Sequence, residues 1–191
     1  EEALADAQAR GALASSGRGI LARALEVWVW AGHDEAVERF TVDQLTTLGW
    51  ELYRARSWDA LRYALEPFRP LVESLAARVE RDPASLAYAA PTAQMFVFLS
   101  DVEPVFERRL ALAERAVALC PTHRNGRLVL AALLCEQARA AMRAMVLFAR
   151  RDELERVEAL LARAEKLYPQ SSELEDAKAT LERIRRGRIA L

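Results

Sequence analysis

The sequence predicts an all-α fold, and three observations predict it. Apolar residues recur at three- and four-residue spacing along nearly every stretch, the pattern of helices that each bury one face. The period-two alternation of half-buried strands is absent. Ala is the commonest residue, every basic residue except Lys166 and Lys178 is Arg, and only seven Gly and seven Pro interrupt 191 residues. Ala and Arg are both strong helix formers.

The elements follow in order from their stop and start signals. A first helix covers residues 2–14 and is broken by Ser15-Ser16-Gly17-Arg18-Gly19. A second covers 20–31, carries Trp28 and Trp30, and ends at Gly32, a residue suited to the left-handed C-cap. A short helix over 34–40 precedes Asp43, which is placed to cap the next, over 44–56. Ser57 caps a helix opening Trp58-Asp59-Ala60-Leu61. Pro67 and Pro70 predict a break before a helix over 71–81. Asp82-Pro83 closes that helix, because the residue before Pro disfavours helical backbone. The pattern resumes over 85–100, with Pro91 as an expected irregularity. Met95-Phe96-Val97-Phe98-Leu99 could be a strand but sits among Ala-rich helical sequence, so it reads as buried helix. Pro104 suits a first helical turn, and that helix ends at Cys120-Pro121. A long helix covers 124–149, a turn falls at Arg150-Arg151-Asp152, and a helix over 153–168 ends at Pro169. Ser172 with Glu175 fits a capping box for the last helix, to about residue 186. Its acidic start and basic end complement the helix dipole.

Composition excludes several classes. With 52% hydrophobic residues and a net charge of −1, the chain is not of the disordered type. No apolar run approaches the roughly 18 residues of a membrane span. The two cysteines, Cys120 and Cys135, could form one bridge, but they read better as reduced, packed thiols. No secretory pattern opens the chain, so a reducing cytoplasm is the expected setting. The Arg excess fits a GC-rich, bacterial genome. The start at Glu1-Glu2-Ala3 reads as a segment of a longer protein.

Helix pairs joined by short turns form either a bundle or a solenoid, and repeats favour the second. Ala116-Val117-Ala118-Leu119-Cys120-Pro121 and Ala164-Glu165-Lys166-Leu167-Tyr168-Pro169 share Ala-x-x-Leu-x-Pro, and Ala77 to Pro83 ends similarly. Leu45-Thr46-Thr47-Leu48-Gly49-Trp50-Glu51-Leu52 resembles the Trp-x-x-Leu-Gly-x-x-Tyr first helix of the tetratricopeptide-repeat family, with Leu at both aromatic places. Trp58-Asp59-Ala60-Leu61, Gly32 to Val37, and the helices ending at Pro121 and Pro169 resemble that family's second helices and turns. The departures are in spacing. Pro83 to Pro121 is 38 residues and Pro121 to Pro169 is 48, against a family unit of about 34. The resemblance implies one domain over residues 1–191, an α-solenoid of antiparallel helix pairs wound as a right-handed superhelix, with degenerate repeats.

Signatures of chemistry are sparse. The glycines of residues 11–19 lack the Lys and preceding strand of a P-loop. No Gly-x-Ser-x-Gly elbow is present. Zinc sites want clustered Cys and His, and the two of each are spread along the chain; only Cys120 and His123 are close, and a thiol in the last turn before Pro121 reads better as packing, so no metal or cofactor is expected. His33 and His123 read as solvated or capping residues. Carboxylates alternate with Arg on helix faces, as in Glu153, Glu155 and Glu158 beside Arg150, Arg151 and Arg156, which describes solvated surfaces. Balanced charge argues against nucleic acid.

The resemblance therefore implies a non-catalytic module that binds a peptide, a partner protein or another domain of its own chain through a concave face. Carried onto this sequence, the family's concave places are Asp43, Thr46, Trp50, Tyr53 and Arg54 in one unit. In a later unit they are Asn125, Leu128, Ala132, Cys135 and Glu136. Trp50, Tyr53 and Arg54 lead, because Trp, Tyr and Arg are enriched in binding hot spots; the alternative is that Trp50 and Tyr53 fill the core. Cys135 reads better as core. Thr46 and Trp50 replace the Lys and Asn with which some relatives grip a C-terminal carboxylate, so that mode is not implied. An oligomerisation domain pairing through Trp28 and Trp30 is the alternative function, and an α-helical enzyme a more distant one.

Overall fold

A computed structural model describes residues 35–82, 87–145 and 151–186. Among them every regular element is helical and no strand occurs. The predicted helices over 2–14 and 20–31, with Trp28, Trp30 and His33, lie outside the described residues. Contacts divide the chain into two units, Glu1–Cys120 and Pro121–Leu191.

In the first unit α1 spans Glu35–Arg54 as one helix. This corrects the expectation of two helices with Asp43 as the cap between them. The buried stripe does not pause there: Glu38, Val42, Leu45, Leu48 and Leu52 follow at three- and four-residue spacing. Thr46 and Thr47 donate their hydroxyls to the Val42 and Asp43 carbonyls at 2.8 and 2.9 Å, which seats polar side chains inside the helix. The helix closes in a Schellman turn. The Ser57 N–H donates to Leu52 O and the Arg56 N–H to Tyr53 O, both at 3.0 Å. Arg56 takes φ 52°, the left-handed place that Gly usually holds.

That turn leads into α2, Trp58–Leu65, where Ser57 is the N-cap residue although its side chain makes no capping bond. Pro67 sits in a 3-10 turn, Glu66–Phe68, and Pro70 in the first turn of α3, Arg69–Arg81. The predicted break is therefore present. Asp82 is extended, with φ −130° and ψ 102°, as a residue before Pro should be.

Helix α4, Ala89–Val102, is the centre of this unit: Thr92 to Ser100 are all buried, and it packs against α1, α2, α3 and the following α5, Phe106–Leu119. A helix apolar all round is a buried helix, which is why Met95 to Leu99 lacks an amphipathic pattern. Pro91 falls in its first turn and leaves it unbroken, correcting the expected irregularity. Pro104 is not in a first helical turn as expected. It stands between extended Glu103 and Val105, and the Glu103 carboxylate accepts the Val105 N–H at 3.3 Å. The Ser100 hydroxyl donates to Arg109 O at 2.9 Å, and the Arg115 guanidinium lies 5.0 Å from the Phe96 ring centroid. This register makes α4 and α5 antiparallel.

Gly49 is where α4 meets α1. A Cβ there would stand 2.4 and 2.7 Å from two Phe98 ring atoms. Buried Glu38 holds both ends of the Arg78 guanidinium, tying α1 to α3. Arg115 reaches Glu73, and Glu80 at 3.8 Å, tying α5 to α3.

The second unit consists of α6, Arg124–Met145, α7, Arg151–Leu167, and α8, Ser172–Arg185. Arg151 and Asp152 belong to α7 rather than to a turn, and Asp152 there complements the helix N-terminus. The core is built from Leu130, Leu134, Ala138 and Met142 of α6, Val157, Leu161 and Ala164 of α7, and Leu174, Ala177 and Leu181 of α8. Glu165 pairs with Lys178 at 2.7 Å and Glu158 with Arg185, a register that makes α7 and α8 antiparallel. The cap of α8 is Ser171, not Ser172: its hydroxyl accepts the Leu174 N–H at 3.4 Å. Glu173 rather than Glu175 completes the turn, taking hydroxyl donations from Ser171 and Ser172 at 2.7 and 3.2 Å. These bonds hold its carboxyl below the usual range. His123 caps α6 as a neutral acceptor, with Nδ1 3.1 Å from the Gly126 N–H, and burial lowers its pKa from 6.5.

Candidate functional site

Because α1 is continuous, the five leading residues share one stripe of it. Asp43 and Arg54 are exposed, and Thr46, Trp50 and Tyr53 are half-buried. The Thr46 hydroxyl is already engaged by Val42 O. Trp50 and Tyr53 pack edge-to-face at 5.7 Å, and Trp50 stands edge-on to Phe98 at 5.2 Å. Tyr53 also meets Phe98 at 6.0 Å and Trp58 at 5.2 Å and 87°. One side of each ring joins the core through Phe98, and the rest reaches the surface.

Three residues of this cluster escaped the sequence reading. Trp58 is 42% exposed, a large cost for an indole unless something covers it. Its signal in the sequence is an aromatic immediately after a helix stop, which equally fits the start of a repeat helix. Phe98 and Asp101 come from α4, four dozen residues away in sequence, and no local pattern links them to α1. Burial raises the Asp101 carboxyl from 3.8 to about 6, against the opposing pull of Arg109. Its Oδ2 is buried and accepts no hydrogen bond from the protein. The Tyr53 phenol is pushed up by burial and then by Asp101. An aromatic surface with a weakly acidic group beneath it suits a partner that brings apolar or cationic side chains.

In the second unit the predicted residues divide. Leu128 is 37% exposed and Glu136 is exposed, so both lie at the surface. Asn125 and Ala132 are half-buried. Cys135 is fully buried, as expected for core, and burial pushes its thiol up. Neither cysteine forms a disulfide. Near Asn125, between the start of α6 and the end of α7, lies an open cavity of about 260 Å³ lined by Arg124 and Arg127.

Among the described residues, no group of three or more His, Cys, Asp or Glu could hold a metal, and no helix is long and apolar enough to cross a membrane. The basic end of α8 is engaged internally: Arg185 by Glu158 and Glu182, and Arg186 by Glu182 at 3.7 Å. The chain matches no protein-family model, no curated protein and no solved structure.

Proposed function

We propose that the chain is a tetratricopeptide-like, non-catalytic module that binds a peptide segment, a partner protein or a neighbouring domain through the Trp50–Tyr53–Trp58 face. The observation that carries this reading is Trp58, left 42% exposed on a ladder of edge-to-face rings. Such a ladder is rigid, so a partner gains contact area without ordering the side chains that meet it. Exposed Arg54 and Asp43 flank it on α1 and can fix orientation. The repeat assignment is supported by the antiparallel registers of α4–α5 and α7–α8. It is supported too by the close approach at Gly49, and by Ala116 and Ala164, the small residue of each Ala-x-x-Leu-x-Pro ending, both fully buried.

The test is site-specific photo-crosslinking from position 58, made in cells of the source organism and read by mass spectrometry. A discrete protein adduct, lost on Arg54→Glu and competed by added unmodified chain, is the expected result. Trp58→Ala in the competing chain should abolish competition while its far-ultraviolet circular dichroism stays helical. Full competition by that variant would overturn the assignment.

A further inference from the structure

The cavity at the start of α6 has a chemistry of its own. Its lining places Arg124 and Arg127 from the first turn of α6 opposite Leu167, Tyr168 and Pro169 at the end of α7, with Thr122 beside them and no acidic residue in the wall. Elsewhere in the described residues Arg69, Arg78, Arg115, Arg185 and Arg186 each pair with Glu. Arg124 and Arg127, which share one cavity wall, do not. Among the described residues neither has a carboxylate within ion-pairing distance, and the single polar contact of the Arg127 guanidinium is a long one, 3.4 Å to Lys166 O. Two guanidiniums in one concave site repel each other, and a wall without carboxylates leaves that repulsion standing. The N-terminal end of α6 adds positive partial charge on the same side.

We propose that this cavity binds a phosphate monoester group. Two guanidiniums provide forked donors suited to phosphate oxygens. A monoester carries about −1.5 to −2 charges near neutral pH, which balances both Arg residues, whereas a carboxylate would balance only one. The site is larger than a bare phosphate needs, and the wall of Leu167, Tyr168 and Pro169 gives the organic part of an ester an apolar surface to lie on. The site lies in a different unit from the aromatic face and stands whether or not that face binds a partner.

Titration of the isotopically labelled full chain with phenyl phosphate, followed by nuclear magnetic resonance, tests the proposal. Saturable shifts confined to residues near 122–127 and 167–170 are expected, with affinity falling as salt is added. Arg124→Gln with Arg127→Gln should weaken binding at least about tenfold. Arg124→Gln alone, on an exposed side chain, should weaken it measurably even if the double variant folds poorly. Phenyl phosphate should bind more tightly than inorganic phosphate, and benzoate more weakly than either. Absence of saturation, undiminished binding by both variants, or benzoate binding as tightly as phenyl phosphate would each overturn it. A phosphotyrosine peptide distinguishes the source: tighter binding than phenyl phosphate assigns the group to a modified protein, and equal binding assigns it to a small ester.

Discussion

Asp101 shows how one residue sets a pH dependence. Its folded pKa is about 6 against an ordinary 3.8, so between those values the folded chain holds a proton that the unfolded chain has released. Stability therefore falls as pH rises through that window, and the full penalty stands above it. A displacement of about two units corresponds to roughly 3 kcal/mol at most. Asp101→Asn keeps the shape and removes the charge. Urea denaturation should show it more stable than the parent at pH 7.5, with the gain shrinking towards pH 4; an equal gain at both values would contradict the burial account. His123 works with the opposite sign. Its folded pKa is depressed, so its contribution is lost as pH falls below 6.5. The difference between Asp101→Asn and the parent isolates one from the other.

At the scale of elements, α1 carries two positions that test how it is held. Gly49 lets Phe98, fully buried, lie directly on the helix backbone. Ala would favour the helix by about 1 kcal/mol, but its Cβ meets a ring that has nowhere to go, at about 1–3 kcal/mol. Gly49→Ala should lower stability by up to about 2 kcal/mol and change the near-ultraviolet signal of Trp50; a stabilised variant would show that the close approach is dispensable. Arg56 is the reverse case. A non-Gly residue at φ 52° is strained, so Arg56→Gly should raise the unfolding free energy, measured by urea denaturation, by about 0.5–1 kcal/mol without moving the helix ends. Most elements were legible in the sequence because their stops are chemical. Pro67, Pro83 and Pro121 each end or break a helix by steric necessity. What was not legible depended on context. Asp43 resembles a cap but lies within an unbroken buried stripe, and Ser171 and Ser172 are equally good caps until Leu174 is placed. Half of the aromatic cluster was visible as Trp50 and Tyr53. Phe98 and Asp101 were not, because only tertiary packing brings α4 against α1.

For the molecule as a whole, the preference for Arg over Lys acquires a structural account. Arg78 grips Glu38 with two nitrogens. Arg115 reaches Glu73, Glu80 and the face of Phe96, and Arg185 reaches Glu158 and Glu182. Arg78 takes one carboxylate with both arms, and Arg115 and Arg185 each join groups on different turns or helices, which a flat, forked cation does and a point ammonium does not. Arg78→Lys should therefore fail to restore what Arg78→Ala loses, a loss of about 2–4 kcal/mol given that Glu38 would remain buried and short of its cation. Chemical denaturation of the two variants checks it, and full recovery by Lys would show that charge alone suffices.

Each compact unit contains one cysteine, Cys120 in the first and Cys135 in the second. Cys135 has no surface at all in the folded chain and a thiol that burial keeps protonated. A thiol reagent can reach it only through an opening of its own unit, so the rate of its modification is a clock for that opening. Half-buried Cys120, just past the last turn of α5, should be modified sooner and with a shallower dependence on urea. Mass spectrometry resolves the two sites in a single reaction, giving the breathing of each half from the unaltered protein with no label introduced.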